Sequence, residues 1–357
     1  MTTLLRTMTA DDWEAWRAVR LEALAESPGA FGSTHADWVG AEEPRWRGRL
    51  SIPGAIDVVA FEGDTAIGMA SGVPAETPGR AELISMWVAP AARGRGVART
   101  VITAIAGWAV RSGFDVLALT VMPDNDGART AYERNGFVRA HEPGPVLPDG
   151  RHEIAMTRDL RAERTLDTYE RESQRYVDRT SDARSGLVED VLAVVPVGST
   201  VLEVGSGPGR DALALEAAGL RVVRSDGARA FVERLRDQGH EALVLDVLRD
   251  DLGGPYDAVF ANAVLLHVPR ERLVDVLGRI RAAVRPGGVL AATLKRGEGE
   301  AWTTAKLDAP RHVTYWTERA LADAVDAAGW GSAEVRDSTV PGAAERWLTV
   351  VARRGTS

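Results

Sequence analysis

The sequence predicts two α/β domains in tandem: a mixed-sheet α/β domain over residues 1–160, followed by a doubly wound α/β domain over residues 161–357. Three observations support this fold class. The chain has 357 residues, which is more than one hydrophobic core usually spans. Strand and helix patterns alternate along both halves, most strictly in the second. Each half also holds a glycine-rich loop between an apolar run and a helical pattern.

The first half begins with a short apolar strand and a capped amphipathic helix. Two alternating runs flank Glu62-Gly63-Asp64, so we expect a hairpin there. A third strand, Glu82 to Ala89, ends at Pro90 and leads through the first glycine loop into a helix over 97–111. The later elements are a strand over 114–122, a helix over 126–134 and a closing strand over 154–157.

The second half begins with an amphipathic helix that contains Tyr169 and Tyr176. Strands are then expected at 200–204, 221–225, 242–245, 256–261 and 289–294. Helices are expected between them at 211–218, 228–238 and 272–284. Such alternation is typical of a parallel sheet, which binds ligands at the carboxyl ends of its strands.

Composition excludes several kinds of function. There is no cysteine, so disulfides, thiolate zinc sites and cysteine nucleophiles are ruled out, and we expect no metal site. The net charge is -8, and neither half is basic, which disfavours nucleic acid as a partner. The start of the chain lacks signal-peptide features and no run approaches about 18 apolar residues, so we expect a cytoplasmic protein without a membrane partner. The sequence does not decide the oligomeric state.

The first loop is built to hold an anionic group, because small residues let backbone amides at a helix start approach it closely. Arg93, Gly96 and Ala98 fit the signature of the GCN5-related N-acetyltransferase (GNAT) family, which this half resembles, and the segment from Asn125 to Phe137 is a second match. The resemblance implies acetyl-coenzyme A as cofactor. It implies that pantetheine runs along Met86 to Val88 and that Asn125 contributes to the site. The pyrophosphate would then lie on Arg93, Gly94, Arg95, Gly96, Val97 and Ala98.

The same resemblance assigns two catalytic candidates. Tyr132 corresponds to the general acid that protonates the departing thiolate, and its alternative role is packing against the sheet. Glu82 is the candidate base for the acceptor amine, and its alternative is a solvated strand carboxylate. We expect most of the tryptophans in the first helical region to be core residues, and Trp38 or Trp46 is a candidate to face the acceptor; the four are Trp13, Trp16, Trp38 and Trp46.

The second loop has the form Glu-x-Gly-x-Gly-x-Gly, with Arg210 where a dinucleotide fingerprint requires glycine. It resembles the first motif of Rossmann-like, class I S-adenosylmethionine-dependent methyltransferases, which implies S-adenosylmethionine as cofactor. Asp226, beside Gly227, would bind the ribose hydroxyls. Asp246 would bind the adenine amino group while Val247 packs on the ring, and Asn262 would lie at the cofactor edge. The loop residues assigned to the cofactor are Glu203, Gly205, Ser206, Gly207 and Gly209.

Beyond the fourth strand of this half, His267 is the candidate base for methyl transfer. The alternative is a histidine that only packs near the cofactor. The segment Arg311 to Trp316 lies where such enzymes shape their acceptor pockets, and the alternative is that it is the entry to a sixth strand. Tyr169 and Tyr176 either close over the cofactor or are explained by amphipathic packing.

These patterns predict a bifunctional enzyme that acetylates an amine and methylates a small-molecule acceptor, in natural-product modification or resistance. In a first alternative, the acetyltransferase-like half is a non-catalytic acetyl-CoA-binding regulatory or scaffold module. In a second, it modifies a peptide or protein amine. Neither acceptor can be deduced from the sequence.

Overall fold

The structure is a computed structural model that describes residues 3–180 and 185–356. It divides into two compact units, Met1–Arg161 and Ala162–Ser357. The predicted domains, 1–160 and 161–357, also include residues 1, 2, 181–184 and 357, which lie outside the described residues. Within the described ranges, no helix combines the length and apolarity that crossing a bilayer requires.

The first unit is built on a seven-stranded sheet with the order β1-β2-β3-β4-β5-β7-β6. Neighbouring strands are antiparallel except β4 and β5, which run parallel. Its strands are β1 (Leu4–Met8), β2 (Ile56–Glu62), β3 (Thr65–Pro74), β4 (Arg80–Val88), β5 (Val116–Val121), β6 (Val138–Arg139) and β7 (Ile154–Asp159). Its helices are α1 (Trp13–Glu26), α2 (His35–Val39), α3 (Glu43–Arg49), α4 (Val97–Arg111) and α5 (Asp126–Arg134).

This sheet carries a separate apolar core on each face. Helix α4 packs on one face through a stripe that includes Val101, Ile102 and Ile105. The closest approach is at Gly72 of β3, where an added Cβ would lie 2.5 Å from the Trp108 ring, so a larger residue is excluded. Trp16 of α1 and Trp46 of α3 fill the other core. The short helices α1 to α3 therefore form a wall opposite α4.

The second unit begins with α6 (Arg161–Arg179), of which Arg161 belongs to the first unit, and α7 (Leu187–Val194). Strands β8 (Thr200–Val204), β9 (Arg221–Asp226), β10 (Ala242–Val244), β11 (Tyr256–Ala261) and β12 (Val284–Arg296) alternate with α8 (Arg210–Ala217), α9 (Arg229–Asp237) and α10 (Leu273–Ala283). The remaining elements are β13 (Glu300–Thr303), β14 (Arg311–Trp316), α11 (Glu318–Ala327), β15 (Ser332–Asp337) and β16 (Trp347–Arg353).

The centre of this second sheet is parallel, in the order β10-β9-β8-β11-β12, with apolar cores on both faces. The doubly wound prediction holds for these strands. The sheet is nevertheless mixed, because β16 pairs antiparallel with β12 and β15 pairs antiparallel with β16. Most residues of β15 are exposed, so its sequence lacks the apolar run that identifies a buried strand. The parallel strands bring their carboxyl ends to one edge, where the second glycine loop lies.

Candidate functional site

In the first unit, strands β4 and β5 pair only at their start. Their ladder covers Arg80 to Glu82 on β4, and no further pair follows in the described residues. At Ser85 the chain adopts a positive φ of 55°, and the β3–β4 register shifts there, as in a β-bulge. The β5-facing edge of residues 83–88 therefore pairs with no strand in the described part of the chain. The candidate pantetheine-pairing residues Met86 and Val88 lie on this free stretch.

The loop over residues 93–98 presents backbone amides at the start of α4. Gly94 and Gly96 have φ values of 75° and 86°, and a Cβ at either would meet no atom within 4 Å. The first helical hydrogen bond runs from the Thr100 amide to the Gly96 carbonyl, so the amides of Val97 and Ala98 have no partner within the helix. The loop thus combines free donors with open space, as a phosphate requires.

The arginine side chains of this loop are held by carboxylates and a backbone carbonyl. Arg93 contacts Glu26 at 2.8 Å and donates from Nε to the Val88 carbonyl at 3.1 Å. Arg95 contacts Glu62 at 2.5 Å. These contacts fix the loop to the ends of α1, β2 and β4, and they leave the backbone as the main donor surface.

A cavity of about 510 Å³ lies between this open edge and the wall of short helices. Glu82 and Met86 of β4 line it, as does Tyr132 of α5. Trp38 and Trp46 also line it, with ring centroids 4.6 Å apart. The cavity brings together both candidate catalytic residues and both candidate acceptor-facing tryptophans.

Within the cavity the two catalytic candidates have different environments. Burial raises the pKa of the Tyr132 phenol, which keeps it protonated at neutral pH. Its ring packs edge-on against Phe137, 5.8 Å away. The Glu82 side chain is exposed and free to reach an acceptor. Asn125 caps α5, its Oδ1 accepting from the Ala128 amide at 3.1 Å, so in this structure it shapes the helix that holds Tyr132.

The sequence did not predict a polar cluster that lies beside the cavity and partly lines it. Arg49 contacts buried Asp57 at 3.1 Å, and the Ser71 hydroxyl donates to the same carboxylate at 2.5 Å. Arg20 of α1 is also buried and lines the cavity. The signal for Arg20 was available: it lies four residues after Trp16, on the apolar face of the helix.

We expect Asp57→Asn to destabilise the first unit by about 3 kcal/mol, because the change leaves the Arg49 guanidinium in the protein interior without a counter-charge. Burial raises the pKa of Asp57 against the opposing effect of Arg49. The unfolding midpoint in urea measures the effect. Asp64→Asn, in the exposed turn after β2, is the matched control. Equal midpoints for the two variants would contradict the prediction.

In the second unit, the conformation of the loop after β8 requires glycine at three positions. Gly205, Gly207 and Gly209 have φ values of 71°, 51° and 81°. A Cβ on Gly205 would lie 2.2 Å from Val264, and one on Gly209 would lie 2.7 Å from Leu235. The loop is anchored by a hydrogen bond from the Ser206 amide to the Ser225 carbonyl at 2.8 Å. Glycine is therefore required by backbone conformation and by close packing.

Two buried carboxylates lie beside this loop. Burial raises the pKa of Glu203 to about 7, and Oε2 of Glu203 has no hydrogen-bond partner in the described part of the chain. Burial also raises the pKa of Asp226 to about 6. Asp226 accepts from the Gly207 amide at 2.9 Å and from the Ala228 amide at 2.8 Å, which ties β9 to the glycine loop. The site thus holds acceptors that a cationic ligand would satisfy.

The other cofactor candidates lie along the same edge. Asp246 follows β10 and accepts from the Leu248 amide at 2.9 Å, and burial raises its pKa. Val247 is buried next to it. Gly227 packs closely under α6, where a Cβ would lie 2.7 Å from Leu166. Asn262 donates to Asp211 at 2.9 Å and accepts from Thr293 at 2.7 Å, so its amide is held in place at the end of β11.

His267 is buried within a hydrogen-bonded chain. Nδ1 lies 2.6 Å from the His312 carbonyl, which can only accept, so Nδ1 carries the proton. Nε2 is then the acceptor for the Tyr169 hydroxyl at 2.9 Å, and Arg311 donates to that hydroxyl at 3.0 Å. Burial lowers the pKa of His267 to about 3, so the ring is neutral. The Tyr169 hydroxyl therefore occupies the lone pair on Nε2 of His267.

Helix α6 covers this edge with aromatic rings. The ring centroids of Tyr169 and Tyr176 are 5.6 Å apart, and Phe231 lies 5.6 Å from Tyr176. A Cβ on Gly207 would lie 3.8 Å from Tyr176. Of the two tyrosines in the predicted first helix, Tyr176 thus lies over Gly207, and Tyr169 packs beside Tyr176.

Comparisons with known proteins agree with these two geometries. Residues 13–137 match the acetyltransferase (GNAT) family, and residues 169–334 match a methyltransferase domain. No protein with curated annotation matches the chain.

Solved structures resemble each half separately. A GNAT-family acetyltransferase from Streptococcus pneumoniae is 18% identical, with 44% of this chain and 99% of that chain covered and a TM-score of 0.39. The PaiA N-acetyltransferase of Thermoplasma acidophilum, in complex with coenzyme A, is 16% identical, covers 44% of this chain and 99% of its own, and has a TM-score of 0.36. The 1,6-didemethyltoxoflavin-N1-methyltransferase of Burkholderia thailandensis, with bound 1,6-didemethyltoxoflavin and S-adenosylhomocysteine, is 20% identical; it covers 54% of this chain and 87% of its own, with a TM-score of 0.42.

The family matches confirm both resemblances drawn from the sequence: the chain consists of a GNAT-family acetyltransferase domain followed by a methyltransferase domain.

Proposed function

We propose that this chain is a bifunctional transferase, which acetylates an amine at its first site and methylates a small molecule at its second. The observation that carries the first activity is the cavity in which the open edge of β4, Glu82 and Tyr132 meet. The second activity is supported by the glycine loop beside the buried carboxylates Glu203 and Asp226.

The residues of the first site fit acetyl-CoA. The amides at the start of α4 and the open space over Gly94 and Gly96 suit the pyrophosphate. The unpaired edge at Met86 and Val88 suits a pantetheine arm, which can pair like an added strand. When bound, acetyl-CoA would supply an acetyl group as a thioester, from which an amine can displace the coenzyme A thiolate.

The chain's own groups would then move two protons. Glu82 takes a proton from the acceptor nitrogen, directly or through water, so that the lone pair can form the new C–N bond. The Tyr132 phenol, kept protonated by burial, donates to the sulfur as the C–S bond breaks. The tryptophan wall positions the acceptor and excludes water.

The residues of the second site fit S-adenosylmethionine. The unpartnered Oε2 of Glu203 suits the amino group of the methionine portion, and Asp226 at the end of β9 suits the ribose hydroxyls. Asp246 and Val247 suit the adenine. When bound, this cofactor supplies a methyl group on a sulfonium, and its transfer requires mainly alignment. Because burial lowers the pKa of His267 to about 3, His267 is a poor proton acceptor at neutral pH, and its Nε2 would instead orient the Tyr169 hydroxyl.

Calorimetric titration of the full chain tests both assignments together. We expect one equivalent of acetyl-CoA and one of S-adenosylmethionine to bind, each without displacing the other. If S-adenosylmethionine fails to bind, the second assignment is wrong. If acetyl-CoA binds but no small, peptide or protein amine is acetylated, the first domain is a binding module.

We expect Glu82→Gln to lower kcat for acetylation about 100-fold at neutral pH, because an amide cannot remove the acceptor's proton. The deficit should shrink as the pH rises and the amine loses its proton unaided. Steady-state rates over a pH series measure this. Glu76→Gln, an exposed change just before β4 and outside the cavity, serves as the control. A deficit that is constant with pH would contradict the assigned role of Glu82 as a base.

A further inference from the structure

The acetyltransferase cavity contains a buried guanidinium that no carboxylate of residues 3–180 and 185–356 neutralises. Arg20 is 9% exposed and lines the cavity from α1. Its Nη2 donates to the Ser33 hydroxyl at 3.1 Å, and its guanidinium lies 4.4 Å from the centre of the Phe31 ring. No carboxylate forms an ion pair with it in the part of the chain that the structure describes. Buried charges in proteins are normally paired, so an anionic ligand that pairs with this cation would be stabilised.

The charges around Arg20 increase the need for that partner. Its charged neighbour is another cation, Arg49, whose own counter-ion Asp57 is held at 3.1 Å. Burial and then Arg49 lower the pKa of Arg20 to about 10, which still leaves it charged at neutral pH. Asp57 carries a single negative charge, which Arg49 already balances, and it also accepts from the Ser71 hydroxyl. One positive charge therefore remains uncompensated on this side of the cavity.

Unused hydrogen-bond donors lie on the same helix. Nη1 of Arg20 and the indole Nε1 of Trp16 are buried without a partner among the described residues. The two residues are four positions apart on α1, which places them on one helix face, and both line the cavity. Both unmatched groups are donors, and one belongs to a cation. The ligand that satisfies them is an acceptor with a negative charge.

We propose that the amine acetylated by this domain also carries a carboxylate, which binds Arg20 and Trp16 while the amine reaches Glu82. This inference rests on the proposed acetyl transfer and specifies its substrate class as a small amino carboxylic acid. A monoanion balances the single free charge, and planar carboxylate oxygens match the guanidinium. Phe31 and Trp38 line the same cavity, so the body between the two groups is apolar.

Binding of three simple probes to the full chain tests the carboxylate site without any catalysis. The probes are benzoate, its neutral counterpart benzamide, and inorganic phosphate, each at about 10 mM and equal ionic strength. We expect benzoate to raise the unfolding midpoint of the wild type and benzamide to leave it unchanged. Phosphate can bind the loop over residues 93–98, so any effect of phosphate should be the same in the wild type and in Arg20→Gln. In Arg20→Gln the benzoate effect should disappear. In Arg17→Gln, on α1 but outside the cavity lining, it should persist.

Three outcomes overturn the proposal: no effect of benzoate on the wild type, equal effects of benzoate and benzamide, or an undiminished benzoate effect in Arg20→Gln. An effect of phosphate that disappears in Arg20→Gln, as the benzoate effect does, overturns the assignment to a carboxylate.

Acetylation rates separate this proposal from the proposed function. We expect kcat/KM of the wild type for phenylalanine to exceed that for phenylethylamine by about tenfold or more, and Arg20→Gln to abolish this ratio through KM. If phenylethylamine is acetylated as well as phenylalanine, acetyl transfer stands and the carboxylate site is wrong. If benzoate binds through Arg20 but no amine is acetylated, the carboxylate site stands and acetyl transfer is wrong.

Discussion

Replacement of Tyr132 by phenylalanine is expected to lower kcat for acetyl transfer by about 100-fold or more, with acetyl-CoA affinity retained. A departing thiolate anion is unfavourable in a cavity walled by tryptophans unless it is protonated. Tyr132 is the buried phenol that lines this cavity. Phenylalanine keeps the ring and its edge-on contact with Phe137, so the change removes only the hydroxyl group.

Release of coenzyme A measures this rate directly. Because the chain has no cysteine, a thiol reagent reports only the product. Tyr315→Phe, on β14 of the second unit, is the matched control and should retain full acetylation. Wild-type kcat in Tyr132→Phe would show that Tyr132 only packs against the sheet, which is the alternative that the sequence left open.

Affinity for S-adenosylmethionine is expected to fall by about 100-fold or more between about pH 8 and about pH 5. Burial raises the pKa of Glu203 to about 7 and that of Asp226 to about 6. Each carboxyl is therefore ionised above these values and neutral below them. A cationic cofactor favours the ionised forms, so its binding is strong at the higher pH and is lost as the pH falls through 7 and then 6.

Two variants assign this pH dependence to its residues. Glu203→Gln should remove the part centred near pH 7, and Asp226→Asn the part near pH 6. Both should also weaken binding at about pH 8, by about tenfold or more, since each removes a charged acceptor. Asp237→Asn, at the exposed end of α9, is the control. Affinity that stays constant with pH in the wild type would show that neither carboxylate contacts the cofactor.

Much of the fold could be predicted because its signals are local. The apolar runs at β8, β9 and β11 and the glycines at 205 and 209 fix strands and tight turns through neighbouring residues alone. The antiparallel pair β15 and β16 could not be predicted in the same way. Its pairing with β12 depends on contacts between distant segments, and β15 is largely exposed.

The sites divide similarly. Glycine loops and residues at strand ends could be predicted from the sequence, because each directly follows an apolar strand pattern. The partners that define their chemistry were not visible. Tyr169 and His267 are 98 residues apart in the sequence, yet the Tyr169 hydroxyl donates a hydrogen bond of 2.9 Å to Nε2 of His267. This contact occupies the lone pair of Nε2.

The sequence by itself determined the two α/β domains, their order, and the family motif that each glycine loop resembles. These features depend on residues that are continuous along the chain. The tertiary structure decided what surrounds each reacting position. Among the residues that it describes, it alone placed Glu82 and Tyr132 in one cavity, left Arg20 there without a carboxylate partner, and put the Tyr169 hydroxyl 2.9 Å from Nε2 of His267. Charge balance and proton paths depend on distances through space, and no spacing along the chain specifies those distances.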